Sequence, residues 1–380
     1  MRTISDTIAR LAAFHRQGAS QPADASDILP RLTGFGSNPG ALEARYYLPE
    51  GLSSEAPLVV VMHGCTQTAA GYARQSGWLQ LADEMGFALL LPEQQRANNA
   101  NLCFNWFLPH DARRGAGESL SVREMITAMV ATHGLNRHRI FITGLSAGGA
   151  MAATLMAAYP EVFSGGAIIA GLPFGSAATV SEAFDRMRGH GGPSHQELQQ
   201  ALRNASEHRG PWPKVAIWHG SADRTVVPSN AEAIAAQWWG VHQLEDAPTR
   251  SESNGRISRR VWNDAGGEAL LELNMIAGMG HGTPLGDGIG QAGPYMLDVG
   301  ISSTLEIARF WGIANDRGTA RAGAAETSRK GMSSQSTGPG AEEAAGKILR
   351  QPAAPQAPSR DPHGVRKIIE DALRAAGLMR

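Results

Sequence analysis

The run Ile140-Phe-Ile-Thr-Gly-Leu-Ser-Ala-Gly-Gly-Ala150 carries an apolar, β-branched segment into Gly144-Leu145-Ser146-Ala147-Gly148, and residues 150–158 continue in small, helix-compatible side chains. The first part reads as a buried strand and the last as a helix, which makes the five residues between them a nucleophile elbow. A serine on so tight a turn takes strained backbone angles, and glycines two residues to either side remove the Cβ atoms that would collide. Its Oγ then stands at the carboxyl end of the strand, above a helix N-terminus whose N–H groups and dipole favour developing negative charge. Five residues of this pattern arise by chance in a chain with 45 glycines. The flanking strand and helix set Ser146 apart from a structural serine in a glycine-rich turn.

A serine nucleophile needs a base, and the base an orienting carboxylate, in the chain order Ser, Asp/Glu, His for this design. Lys214-Val-Ala-Ile-Trp-His-Gly220 reads as a strand that delivers Asp223 in the turn beyond it. Leu271-Glu-Leu-Asn-Met-Ile276 reads as another, followed by a loop in which His281 lies between glycines. An open parallel sheet places its ligands just beyond strand carboxyl ends, which is where both fall. Asp246 and Asp264 sit in polar stretches with no strand feeding them. His219 shares a turn with Asp223 and reads as a structural hydrogen-bonding residue, and His110, His190, His195 and His208 occupy polar segments.

An oxyanion hole requires two backbone donors. Ala147, following the nucleophile, supplies one N–H. The strand Leu58-Val-Val-Val-Met62 ends in His63-Gly64-Cys65, and Gly64 lets the backbone turn so that the Cys65 N–H supplies the other.

With these residues in place the chain resembles the polyhydroxybutyrate depolymerase family of esterases, whose relatives include feruloyl and acetylxylan esterases. The resemblance rests on His63-Gly-Cys-Thr-Gln67, Asn101-Leu-Cys-Phe-Asn-Trp-Phe107, Arg114-Gly-Ala-Gly-Glu118, Gly144-Leu-Ser-Ala-Gly-Gly149, Gly210-Pro-Trp-Pro-Lys-Val215, Trp218-His-Gly-Ser-Ala-Asp223 and Gly300-Ile-Ser-Ser-Thr304, spread over residues 40–313. It implies an α/β-hydrolase fold and carboxylic ester hydrolysis, with Ser146, Asp223 and His281 as the triad and no metal or organic cofactor.

Composition bounds the alternatives. A formal net charge of −1 over 380 residues offers no broad electrostatic reason for nucleic acid or an anionic membrane as partner. No apolar run approaches the ~20 residues of a membrane span. The first sixteen residues scatter charges among apolar positions and read as an amphipathic helix, not as a secretory signal, which gives a cytoplasmic expectation. The two cysteines, Cys65 and Cys103, fit no zinc spacing, and a reducing compartment favours free, buried thiols over a disulfide between their loops.

The expected organisation is an N-terminal helix and connector over 1–38, then an α/β-hydrolase domain over 39–314 with a mostly parallel sheet and helices on both faces. Its elements begin with an outer strand over 42–48 and include one helix over 69–86 and one over 121–133. A lid-like insertion spans 173–212, with helices over 181–188 and 194–208. A low-complexity linker follows over 315–361, and an apolar-striped helix over 362–380. Trp106, Phe107 and Phe174 are the candidate substrate contacts, and Asp111, Arg114 and Glu118 read either as substrate-orienting groups or as an internal ion pair. The sequence thus supports a serine esterase acting on polyhydroxybutyrate or its oligomers. A feruloyl, acetylxylan or short-chain esterase, and a granule-associated binding protein that retains the fold, are the alternatives. The oligomeric state is left open.

Overall fold

Apolar β-branched runs bounded by Gly, Pro and polar turns form one nine-stranded sheet in the computed structural model, which describes residues 29–314. The strands are β1 (Glu43–Tyr47), β2 (Leu58–Met62), β3 (Ala88–Glu93), β4 (Ile140–Leu145), β5 (Gly165–Ile169), β6 (Lys214–Gly220), β7 (Arg250–Asn254), β8 (Ile257–Asn263) and β9 (Ala269–Ile276). Their order across the sheet is β1-β3-β2-β4-β5-β6-β9-β8-β7. From β3 to β9 every pairing is parallel, while β1 at one edge and the β8–β7 hairpin at the other are antiparallel. A small parallel pair, β10 (Thr283–Leu285) and β11 (Met296–Asp298), follows.

The helices are α1 (Ala69–Gln75), α2 (Trp78–Met85), α3 (Pro109–Ala112), α4 (Gly117–His133), α5 (Ala147–Ala158), α6 (Val180–Met187), α7 (His195–Asn204), α8 (Ser229–His242) and α9 (Ser303–Trp311). They cover both faces of the sheet. A Cβ on Gly165 would point at Trp311 of α9 and one on Gly166 at Met156 of α5, and successive strand residues face opposite ways. Every residue of β2, β4 and β5 is therefore buried, as continuous apolar runs require in a sheet covered on both faces. Every residue of α5 is buried as well, and its alanines let it lie close on β2, β4 and β5. The fold is the α/β-hydrolase architecture expected.

Several elements differ from the sequence reading. The single helix over 69–86 is two, because Gly77 takes a left-handed φ of 86° and a Cβ there would meet Ile289 at 2.4 Å. The helix expected to start at Ser121 starts at Gly117, burying Glu118 and Ser119 in its first turn. Strands β7, β8, β10 and β11 and the short α3 were not anticipated. Part of the connector is ordered, since Leu32 N–H bonds Ala44 O and Tyr46 N–H bonds Pro30 O along the sheet edge. The insertion does contain two helices, α6 and α7. The N-terminal helix, the linker over 315–361 and the helix over 362–380 lie outside the described residues.

Trp311 joins the far face of the sheet to α9, stacking on Trp78 at 5.7 Å and on Phe141 at 5.0 Å. Trp311→Ala is expected to destabilise the protein by about 3–5 kcal/mol through lost contact and a residual cavity. Urea denaturation checks this as a lower midpoint at unchanged slope; a loss under about 1 kcal/mol contradicts the packing role.

Candidate active site

Ser146 is the residue between the end of β4 and the start of α5, and its backbone adopts φ 57°, ψ −117°. A non-glycine residue seldom occupies such angles unless its surroundings hold it there. Here the Ser146 N–H donates to Ile169 O at 2.9 Å, and Ser146 O accepts from Ala150 N–H at 2.9 Å. Two residues on, a Cβ at Gly148 would lie 2.4 Å from the carbonyl oxygens of Met62 and His63. The elbow thus presses backbone to backbone on the turn that ends β2.

Asp223 and His281 meet at the same edge of the sheet, beyond the carboxyl ends of β6 and β9. Asp223 Oδ2 accepts from His281 Nδ1–H at 2.7 Å, and Oδ1 accepts from the N–H groups of Thr225 and Val226 at 2.8 and 2.9 Å. Burial works against the charge on Asp223, but His281 and these donors outweigh it and hold the carboxyl below the ordinary aspartate range. With Nδ1 committed as a donor, the lone pair of a neutral His281 is on Nε2. His219 is buried beside them and donates from Nε2 to Val226 O at 2.8 Å, and burial keeps it neutral. It has the structural role expected. Asp264 corrects the reading that no strand feeds it, because it follows β8 directly; β8 runs antiparallel to β9, so Asp264 lies at the opposite edge of the sheet.

The turn that ends β2, expected to supply an oxyanion donor, is set by His63. Its Nδ1–H donates to Gly64 O at 2.8 Å, and its Nε2 accepts from Gln94 N–H at 3.1 Å. Burial lowers the imidazole to about 4, so the ring is neutral with one fixed tautomer. In a trans peptide the N–H points opposite to the C=O, so holding Gly64 O aims the Cys65 N–H the other way. Among the described residues neither the Cys65 nor the Ala147 N–H has a hydrogen-bond partner.

The expectation of free thiols is overturned. Cys65 and Cys103 form a disulfide with Cα atoms 4.3 Å apart, because Thr66 N–H bonds Asn101 O at 2.7 Å and lays the two loops side by side. The ion pair expected among Asp111, Arg114 and Glu118 does not form. Arg114 instead pairs with Glu161 at 2.7 Å, and Glu118 is buried among amide donors.

Trp106, Phe107 and Phe174 line one groove of about 530 Å3, together with Arg113, Glu182 and Arg186. Phe174 is fixed by Gln237 of α8, whose side chain accepts from Phe174 N–H at 3.1 Å and donates to its carbonyl at 2.9 Å. Gln237 and Tyr295 escaped the sequence reading. Tyr295 stands edge-on to His281, ring centroids 6.1 Å apart, with a left-handed φ of 62° that no residue pattern announces. Among the described residues no group of three or more His, Cys, Asp or Glu is placed to hold a metal ion, and no helix is long and apolar enough to cross a membrane.

A parallel sheet with a strained serine at one strand end and an Asp–His pair at another defines an α/β-hydrolase. The chain belongs to the family described as Esterase PHB depolymerase, which matches residues 42–260. It is 42% identical over 291 residues to poly(3-hydroxyalkanoate) depolymerase C of Paucimonas lemoignei, covering 75% of this chain and 70% of that protein. It is 31% identical over 268 residues to acetylxylan esterase A of Aspergillus oryzae, covering 67% of this chain and 83% of that one. The solved structure of an acetyl xylan esterase from Aspergillus awamori superposes with a TM-score of 0.66 at 25% identity, covering 75% of this chain and 99% of that chain. The protein is a carboxylic ester hydrolase.

The depressed Asp223 carboxyl stabilises the fold above the unfolded aspartate value of ~3.9, and this contribution is lost as pH falls through its lower folded value. Asp223→Asn is therefore expected to cost on the order of 2 kcal/mol at pH 7. The difference in Tm from wild type should close progressively below about pH 4. A gap that stays constant across that range shows that the charge is not what stabilises.

Proposed function

We propose that this esterase hydrolyses 3-hydroxyalkanoate oligomers, and the polymer they come from, through an acyl-enzyme on Ser146. His281 Nε2 takes the proton from Ser146 Oγ as the Oγ–carbon bond forms, and the carbonyl electrons move onto the oxygen. Asp223 holds the ring in the tautomer that leaves Nε2 free and stabilises the imidazolium. The Cys65 and Ala147 N–H groups bind the oxyanion. Collapse expels the alcohol with the proton from His281; water, deprotonated by the same base, then releases the hydroxy acid.

The observations that support this reading are the strained Ser146 at the end of β4, the hydrogen-bonded Asp223–His281 pair beyond the ends of β6 and β9, and the Cys65 and Ala147 N–H groups, which have no hydrogen-bond partner among the described residues. The 42% identical depolymerase relative supports an alkanoate substrate. So does the groove between Trp106, Phe107 and Phe174, whose apolar walls suit a short branched acyl chain and its neighbours. The acetylxylan esterase relatives support a second reading, in which the acyl group is acetyl and the groove holds the sugar. The Cys65–Cys103 bond supports work in an oxidising compartment over the cytoplasmic expectation. Helix α6, through Glu182 and Arg186, serves as a wall of the groove more than as a moving lid, and Gln237 pins Phe174 and Leu198.

Ser146→Ala is expected to keep the fold and lose at least ~10⁴-fold in turnover, together with labelling by a fluorophosphonate. On the wild type, 3-hydroxybutyrate trimers should outperform acetylated xylan and feruloyl esters in kcat/KM, and Phe174→Ala should weaken trimers more than p-nitrophenyl acetate. A preference for acetylated xylan selects the second reading.

The apolar stripe over 362–380 supports a tether to an insoluble polymer surface. A chain ending at residue 315 should match the full chain on soluble esters and fall behind it on hydroxybutyrate granules. Equal rates on granules remove the tail from the reading.

A further inference from the structure

Glu118 takes no part in the chemistry above, yet it is buried to 1% exposure in the first turn of α4. Its Oε2 accepts from Asn105 N–H at 2.9 Å, and its Oε1 accepts from Gln94 Nε2–H at 2.6 Å and Asn105 Nδ2–H at 2.9 Å. Among the described residues no Lys or Arg is bonded to it. Burying a carboxyl without a cationic partner is costly, and an apolar side chain would fill the space more cheaply. Burial pushes Glu118 up to about 8 against these three donors. What the arrangement does supply is direction, because every group that bonds Glu118 belongs to a segment leading to the oxyanion turn.

Gln94 is the branch point. Its side-chain amide, besides meeting Glu118, donates to Cys103 O at 3.1 Å, and Cys103 is joined through its sulfur to Cys65. Its backbone N–H donates to His63 Nε2, and His63 Nδ1–H holds the Gly64 carbonyl of the peptide that carries the Cys65 N–H. The amide oxygen of Gln94 accepts from Gln95 N–H and Asn98 Nδ2–H, both at 2.9 Å, so the amide cannot turn over without losing bonds at both ends. Asn105 ties the same carboxyl to the loop between Cys103 and Trp106. Both branches from Gln94 end on one residue, Cys65.

We propose that Glu118 is a positioning residue for ester hydrolysis, which acts through Gln94 to fix the Cys65 N–H as an oxyanion donor. The inference rests on the reading of Cys65 as that donor. An interaction made only with the tetrahedral oxygen acts on kcat and leaves substrate binding alone. A displacement near 1 Å in such a donor costs about 100-fold in rate.

Glu118→Gln in the full chain tests this, because the introduced amide turns one acceptor into a donor and forces at least one contact with Gln94 or Asn105 to break. Turnover of p-nitrophenyl acetate should fall about 100-fold with KM within roughly twofold. Affinity for an alkyl boronic acid, which forms a tetrahedral adduct on the serine, should fall in parallel while the folded fraction stays that of wild type. Gln94→Met removes the amide but keeps the backbone N–H to His63, and should show a smaller loss of the same kind. In the double variant the losses should be less than additive, since both act on one chain of contacts. Should Glu118→Gln fail to fold, Gln94→Met alone decides. Unchanged kcat in either folded variant, or a change confined to KM, overturns the proposal. A wild-type enzyme that ignores fluorophosphonates, or a Ser146→Ala variant that keeps its activity, instead overturns the reading of the site itself.

Discussion

A Cβ on Gly148 would lie 2.4 Å from the carbonyl oxygens of Met62 and His63, and one on Gly64 would lie 3.4 Å from that of Leu145. The nucleophile turn and the oxyanion turn therefore touch through bare backbone. Peptide groups meet directly at this point, and together with the His63 contacts that orient the Gly64 peptide they set Ser146, Ala147 and Cys65 relative to one another. Parallel pairing of β2 with β4, in register from Leu58 against Ile140 to Met62 against Gly144, brings both turns to the same level. Slippage of that register by one residue would exchange the faces of every side chain and separate the turns. The close approach at Gly144, where a Cβ would lie 2.4 Å from Gly148 O, holds the register.

Around this contact, burial fixes protonation and tautomer. His63 and His219 are wholly enclosed, and each is kept neutral by the cost of charging a ring away from water. Asp223 is enclosed too but stays ionised, since two backbone N–H groups and His281 meet its oxygens. The same loss of solvent thus gives opposite outcomes, decided by whether donors converge on the group.

The substrate side is built on different principles. Trp106, Phe107 and Phe174 come from two loops, one fastened by the disulfide and the Glu118 contacts, the other by Gln237. The solved acetyl xylan esterase shares the fold, and in loops such as these side chains can change without disturbing the strand register.

The sequence by itself determined the strands that meet the site, the elbow and the order of its three proposed residues. Each is a local signal, an apolar run followed by glycine, read within about ten residues. Sequence could also rank Asp223 over Asp264, although for the wrong reason: both follow strands, and only the antiparallel turn of β8 puts Asp264 at the far edge. The disulfide, the tautomer of His63, the burial of Glu118 and the place of Tyr295 were decided by tertiary structure. The first three depend on segments apart in sequence meeting within hydrogen-bonding or bonding distance, and the last on an edge-on ring contact with His281. The break at Gly77 belongs with them, since its cause is Ile289, brought there only by the folded chain.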